Sequence, residues 1–595
     1  MKPLTIGPIS GRWALVLYEM LTGELPFKGE YEQGLIHSIL NDQLRRVTTV
    51  RKGIPPELER IIGKAMAKDA AERYQHAHDI ELDLKSLRKR LETERAEKRP
   101  AKPLSLKRKL SYAAGGLIVL LAILFVAKIT IFKERQKSID SIAVLPFQNL
   151  SADPEQEYFS DGMTDALIAE LSKIKALRVI SRTSVMRYKK AEKPLPQIAR
   201  ELNVMAIIEG SVQRVQDEVR ITAQLVRAAP EKHLWANSFT KNFKKILALQ
   251  SEVAQAIARE INVTMTAEER KRLAVSRPVD PEAHEAYLKG RFFINKFTEA
   301  DIRKGIAYFE QAIARDPQYA SAYTGMAEGY DNLISMYRVP PKEAQPIIKD
   351  LALKALSIDK SLAEAYAFIG DSELFDWNWQ AAEENFKHAL ELDPNYVTGH
   401  AYYAFFLMLM KRFDEALSES QRALELDPLS LIANYGLTSM FWFTQQYDRA
   451  IAQAREILNI DPNPHLGYFC LGQSYLAKKM YAEAIAQFQK AIELGDLTSL
   501  TELAIAYVLS GNVMKAREIL ADPRTKDLPL SLLAVVYASL GERERGLELL
   551  EKAFEKREIN LLMINASPRG FLPAVDSLLA DPRFQALMKK AGLEN

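Results

Sequence analysis

The chain has 595 residues, a formal net charge of +3 at pH 7 (80 Lys and Arg against 77 Asp and Glu) and 48 % apolar residues. That length implies about four domains, and the near balance of charge gives no case for nucleic-acid binding by bulk electrostatics. The single cysteine, Cys470, excludes intramolecular disulfides and reads as a small core residue of a helix. Residues 1–12 lack the apolar run of a secretory signal.

Residues 12–29 read Arg-Trp-Ala-Leu-Val-Leu-Tyr-Glu-Met-Leu-Thr-Gly-Glu-Leu-Pro-Phe-Lys-Gly, an apolar helix followed by a turn. A second helix is expected to start at Pro56-Glu57-Leu58 and end at Lys64-Ala65-Met66-Ala67-Lys68-Asp69; Arg73-Tyr74-Gln75 and residues 79–84 follow. As a set these resemble the end of the C-lobe of a Ser/Thr protein kinase. The resemblance places Arg73 where kinases carry the arginine that pairs with a Glu closing the activation segment, and it makes residues 1–92 a truncated C-lobe. Phosphoryl transfer needs a Gly-rich loop, a strand Lys, a catalytic-loop Asp with its Asn, and a metal-binding Asp-Phe-Gly. The sequence contains no Gly-x-Gly-x-x-Gly, no His-Arg-Asp and no Asp-Phe-Gly. The polypeptide as given is therefore expected to be catalytically silent, with no catalytic, cofactor-binding or metal residue. ATP and Mg²⁺ enter only if a kinase region lies upstream.

Residues 93–109 are rich in Arg, Lys and Glu and read as a basic linker. Residues 110–127 are apolar, Gly, Ser or Tyr without interruption, and Lys128 and residues 129–132 follow. Eighteen residues at about 1.5 Å each span roughly 27 Å, which predicts a transmembrane helix over 110–132. Arg95, Lys98, Arg99, Lys102, Lys107, Arg108 and Lys109 precede it; only Lys133, Arg135 and Lys137 follow. The positive-inside rule then gives a single-pass protein of the cell (inner) membrane, with a cytoplasmic N-terminus and everything after the span outside.

Residues 138–265 alternate between strand and helix patterns. Strands are expected at 142–147, 177–181 and 234–239, a hairpin over 205–215 and 218–228, and helices at 161–174, 194–202 and 243–261. In the hairpin Val219, Ile221, Ala223 and Leu225 face one way, and Arg220, Thr222 and Gln224 the other. Asp161 reads as the cap of its helix, and Arg182, Arg187, Lys189 and Lys190 as a basic cluster, a solvated face with an anion site as the alternative. The runs Ile142-Ala143-Val144-Leu145-Pro146-Phe147, Tyr158-Phe159-Ser160-Asp161-Gly162, Glu209-Gly210-Ser211-Val212 and His233-Leu234-Trp235-Ala236 are distinctive. They resemble a bacterial extracytoplasmic module that precedes helical repeats in membrane regulators, adenylate cyclases and Ser/Thr kinases. It is similar in style to the N-terminal domain of the Tol-system propeller protein.

Asp359, Asp393, Asp427 and Asp461 are spaced 34 apart, and Pro394, Pro428 and Pro462 follow the last three. Ala382, Ala416, Ala450 and Ala484 keep the same period. A 34-residue period of paired helices is the tetratricopeptide (TPR) signature. Tyr468, Leu471, Gly472, Tyr475, Ala484, Phe488 and Ala491 fit it best. Small residues let paired helices approach, and Pro, lacking an N–H, ends the second helix. About eight units are expected over 283–560, with 561–595 as a C-terminal cap and Pro340, Pro341 and Pro346 marking an exposed inserted loop. Such an array binds a protein or peptide on its concave face. Tyr402, Tyr403, Phe405, Phe406, Trp442 and Phe443 are candidates for core or groove.

The expected fold class is thus multidomain: an α-helical kinase C-lobe remnant, one transmembrane helix, a Tol-type α/β module and an all-α TPR solenoid. The expected function is a single-pass membrane signalling or scaffold protein, derived from a receptor Ser/Thr kinase, which binds protein partners through its repeats. A homodimer is an added expectation, and nucleic acid is not an expected partner. The alternative is the C-terminal portion of an active receptor kinase. A transcription regulator would need a helix-turn-helix N-terminus, which residues 1–92 do not resemble.

Overall fold

The structure is a computed structural model. It describes residues 17–27, 38, 44–67, 72, 74, 79–88, 139–151, 153, 156–261, 263, 265–267, 269–270, 279–336, 338–460 and 465–593. The chain divides into two compact units, Met1–Arg135 and Gln136–Asn595. The linker 93–109, the span 110–132, Arg73 and Pro462 lie outside the described residues.

Two expectations are corrected here. A membrane helix needs about 20 consecutive apolar residues, and among the described residues no helix is long and apolar enough to cross a membrane. The longest of the repeats, Pro341–Ile358, carries Lys342, Glu343, Lys349, Asp350 and Lys354 along its length. Among the described residues the fold is therefore a mostly helical TPR-like solenoid with a mixed sheet domain and no membrane-spanning helix. The single-pass inner-membrane location that rested on that helix falls with it.

In the first unit, helix Pro56–Ala65 starts with Pro at its first position, where the missing N–H costs nothing, and carries Glu57 and Glu59 in its first turn. Ile62 packs with Tyr18 and Val47, and Ile61 and Ala65 with Tyr74 and Leu87. Asp83 accepts bonds from the Tyr74 hydroxyl at 2.5 Å and from Arg60 at 3.0 Å. Burial, and then the Asp83 carboxylate, push the Tyr74 phenol up to about 12.

The second unit opens with a six-stranded sheet: β1 (Ser141–Val144), β2 (Gln148–Asn149), β3 (Arg178–Val179), β4 (Ala206–Val215), β5 (Glu218–Ala228) and β6 (Glu231–Asn242). Their order is β3-β1-β4-β5-β6, with β2 beside β4. β3, β1 and β4 run parallel, while β4, β5 and β6 are antiparallel. All four β1 residues are buried, as a parallel strand covered on both faces must be. β5 alternates in the expected sense, with Val219, Ile221, Ala223 and Leu225 buried. The strand expected over 142–147 breaks into β1 and β2 around Pro146, which has no N–H for a ladder. Helix Glu157–Ser172 begins four residues before Asp161, so Asp161 is a buried interior residue and not a cap. The basic face is correspondingly engaged: Lys189 bonds Asp161 at 2.5 Å, and Arg182 lies 3.9 Å from it.

Eight antiparallel helix pairs follow, from Pro281–Ile294 with Glu299–Arg315 to Leu530–Ser539 with Arg543–Glu555. A residue in the left-handed conformation closes the first helix in most pairs. Trp377, Lys411, Gln445 and Lys479 hold φ near +60° at the 34-residue period, and Gly511 and Gly541 take the place in the seventh and eighth pairs. The bonds Arg412 N to Leu407 O and Met480 N to Tyr475 O, both 2.9 Å, complete the Schellman arrangement. Inside the pairs, a small residue meets an aromatic ring. A Cβ on Gly370 would lie 2.9 Å from the Phe386 ring, and one on Gly472 2.5 Å from that of Phe488. The nine extra residues of the second pair are not a loop. Pro340 caps helix Pro341–Ile358 and Pro341 holds its first position, where a missing N–H costs nothing, while Pro346 lies inside the helix and gives up one of its bonds.

First helices of successive pairs touch one another, whereas second helices scarcely do. The array therefore curves, with its first helices on the inside.

Candidate functional site: the inner face of the first four repeats

The inner wall of pairs one to four is built from helices Pro281–Ile294, Ala320–Ser335, Ala363–Phe375 and Val397–Leu409. Their inward positions carry an acidic, tyrosine-rich surface. The Tyr402 hydroxyl donates to Asp331 Oδ2 at 2.6 Å, and Gln345 Nε2 donates to Asp371 Oδ2 at 2.8 Å. Ser372 fixes Gln345 through a 2.7 Å bond to its Oε1. Arg291 bonds Asp165 at 2.9 Å and pairs with Glu328. Among the described residues, Asp331, Glu364 and Asp371 make no ion pair.

These carboxylates retain some solvent contact yet are surrounded by protein on most sides, as on the wall of a narrow groove. Burial raises the Asp331 carboxyl above the ordinary range, and its bond from Tyr402 opposes the rise. Burial, and then the neighbouring Asp331 charge, raise Asp371. Glu364 is raised by burial first and by Asp393 next. The same charges push the Tyr396 and Tyr402 phenols up, after burial. The wall is thus a store of negative charge held against its own desolvation cost.

Two structures border this wall. The sheet domain rests on the turns between repeats. Asp427, fully buried, accepts from Ser184 Oγ at 2.8 Å and from the Ser181 N–H at 3.2 Å, and Asn395 Nδ2 donates to Lys175 O at 2.9 Å. The C-terminal helices fold back across the later repeats. Helix Ile559–Ala566 touches the first helices of both the fourth and the eighth pair. Phe571 meets Trp442 at 4.6 Å between ring centroids, Phe554 meets Trp377 at 4.7 Å, and Trp379 Nε1 donates to Ala591 O at 2.8 Å.

The aromatic candidates separate accordingly. Tyr402 lines the acidic wall; Phe406, Trp442 and Phe443 are buried in the core that the tail completes, with Phe405 packed against it. Tyr403 is buried and donates to Glu383 at 3.0 Å. The repeat-signature residues serve packing. Ala484, Phe488 and Ala491 are fully buried, Leu471 and Gly472 are buried, and Tyr468 and Tyr475 are half-buried. Pro394 and Pro428 present their carbonyls to His400 and Asn434, each at 3.0 Å. Burial pushes the Cys470 thiol up, away from nucleophile chemistry. Among the described residues no group of His, Cys, Asp and Glu is arranged to hold a metal. Sequence reasoning missed Asp331, Glu364 and Asp371, for which the available signal was a carboxylate within the first helix of a pair.

The sequence profile of the HilA/YgeH-like transcriptional regulator family, second domain, matches residues 136–256, and that of the tetratricopeptide repeat matches 465–496. The protein named "Putative adenylate cyclase 3" of Rhizobium meliloti (strain 1021) is 37 % identical over 187 residues, 31 % of this chain and 32 % of that one. Serine/threonine-protein kinase PrkC of Bacillus subtilis (strain 168) is 38 % identical over 72 residues, 12 % of this chain and 11 % of that one. The chain therefore spans 32 % and 11 % of the length of these two relatives. The crystal structure of YrrB, a TPR protein with an unusual peptide-binding site, aligns at a TM-score of 0.23 and 22 % identity, covering 31 % of this chain and 92 % of that one. The repeat at 465–496 thus matches the tetratricopeptide model, and the stacked helix pairs form a TPR-like solenoid.

Proposed function

We propose that this scaffold takes a cationic, extended segment of a protein partner along the inner face of repeats one to four. The observation that carries this reading is the pair Asp331 and Asp371, both raised by burial, Asp331 further by Glu328 and Asp371 further by Asp331, with neither in an ion pair among the described residues. Such a pair costs folding stability when empty, and a Lys or Arg side chain placed between the two would relieve that cost. The flanking phenols of Tyr396 and Tyr402 would add cation–π surface. Fluorescence anisotropy with a labelled Lys/Arg-rich peptide tests it. Binding should strengthen from pH 5.5 to pH 8, as the raised carboxyls lose their protons, and should weaken about tenfold in Asp331→Asn, one charge-assisted contact being worth roughly 1.5–3 kcal/mol. Equal binding of a Glu-rich peptide of the same length would sink it.

We also infer, from the kinase likeness of residues 12–84, that the chain derives from a Ser/Thr signalling kinase and is silent as given. The second reading makes it the C-terminal portion of an active Ser/Thr kinase, with ATP and Mg²⁺ held upstream; the short match to PrkC favours it. An antibody to the repeats, applied to the native protein, separates the two. A band near 67.3 kDa supports the scaffold, and a band heavier by a kinase catalytic region supports the kinase. A homodimer is proposed with either reading and is tested by light scattering.

A further inference from the structure

A cavity of about 560 Å³ lies where the starts of β1, β3 and β4 meet the turns of the third and fourth repeats. Lys175, Arg178 and Arg422 line it, with Asn203, Asn395 and a single carboxylate, Asp140. The cations are poorly neutralised. Arg178 donates to the carbonyls of Leu426 at 3.0 Å, Glu425 at 3.4 Å and Asn203. Lys175 Nζ donates to the Glu391 carbonyl at 2.5 Å. Among the described residues, only Arg422 of the three reaches a carboxylate, Glu425 at 3.5 Å. Burial lowers the Arg178 pKa, and the Arg422 charge lowers it further, against the partial support of Asp427 and Asp140.

We propose that this cavity binds a small oxyanion, a phosphate ester or a dicarboxylate, clamped between the sheet domain and the repeats. Three cations line the cavity with one lining carboxylate, Asp140, while Glu425 and Asp427 lie beside Arg422 and Arg178. Lys175 and Arg178 line the cavity from the sheet domain and Arg422 from the repeats, so that cationic N–H donors would meet an oxyanion from both. The volume suits a metabolite-sized ligand. Because Lys175 and Arg178 belong to the sheet domain and Arg422 to the fourth repeat, an occupied cavity ties the two together. This site is separate from the acidic wall and carries charge of the opposite sign.

The test is isothermal titration of the full chain at low ionic strength with glycerol 3-phosphate, inorganic phosphate and succinate, using chloride as control. Saturable binding of either ligand class supports the proposal, and the stronger class identifies the source. Lys175 and Arg422 are exposed, so Lys175→Gln and Arg422→Gln should keep the fold while each weakens binding about tenfold. Asp140→Asn, which removes the one carboxylate that lines the cavity, should tighten it. Absence of saturable heat with all three anions would overturn the proposal. So would affinities unchanged in both Gln variants or a loss of affinity in Asp140→Asn.

Discussion

The first and second halves of the repeat array share one geometry and use it in opposite ways. From pair five on, the inner face is mainly apolar, and the chain's own C-terminal helices pack on it, so that Trp442, Phe443 and Phe571 join one core. In pairs one to four the inner positions include Asp331, Glu364, Asp371, Tyr396 and Tyr402, and among the described residues these three carboxylates make no ion pair. A solenoid has to bury the face its curvature presents or leave it for a partner. Here the apolar half is satisfied internally, and the charged half is held in a state that an added cation would stabilise.

The contrast can be broken most directly at the closed half. Trp442→Ala removes the ring on which Phe571 rests and should cost about 3–5 kcal/mol in urea unfolding. A loss below about 1 kcal/mol would mean that the tail contributes little to the core.

The open half should respond with the opposite sign. Asp371→Asn removes a charge that burial and Asp331 disfavour, and should raise stability at pH 8 by roughly 1–3 kcal/mol. The sign follows from linkage. The folded pKa lies above the unfolded value, so the folded state holds the proton more tightly, and the parent protein gains stability as pH falls from above the folded pKa toward the unfolded one. Thermal melts from pH 8 to pH 5 should show that gain in the parent and a flatter profile in Asp371→Asn. A destabilised variant at pH 8 would mean that the carboxylate is structural.

Two smaller changes probe the geometry common to both halves. Gly472→Ala places a methyl group against the rigid Phe488 ring and should cost about 1–3 kcal/mol. Lys479→Gly relaxes an exposed left-handed residue with φ of 62° and should stabilise by about 0.5–1 kcal/mol. Calorimetry measures both. Equal shifts for the corresponding Gln445→Gly would show that the turn is interchangeable along the array.

The 34-residue ladder was legible because packing between paired helices repeats the same steric demand in every unit. Small residues at Gly472, Ala484 and Ala491 and a ring at Phe488 are demanded wherever the two helices approach. The alternation of β5 was legible because a strand with one covered face has a period of two. Other features were not local. Asp161 looked like a cap from its neighbours, but the helix extends past it because Lys189, distant in sequence, compensates its buried charge. The prolines at 340–346 looked like a loop, but Pro340 and Pro341 open a helix that runs on through Pro346. The apolar run at 110–132 led to a membrane helix that no described helix supports. By itself, the sequence determined the repeat, its period and the pairing inside each unit, since these depend on contacts within a few dozen residues. Only the tertiary structure decided which inner faces are filled and which stay open. That outcome depends on where the curvature brings Phe571 to Trp442 and Asp331 to Tyr402, across 129 and 71 residues of chain.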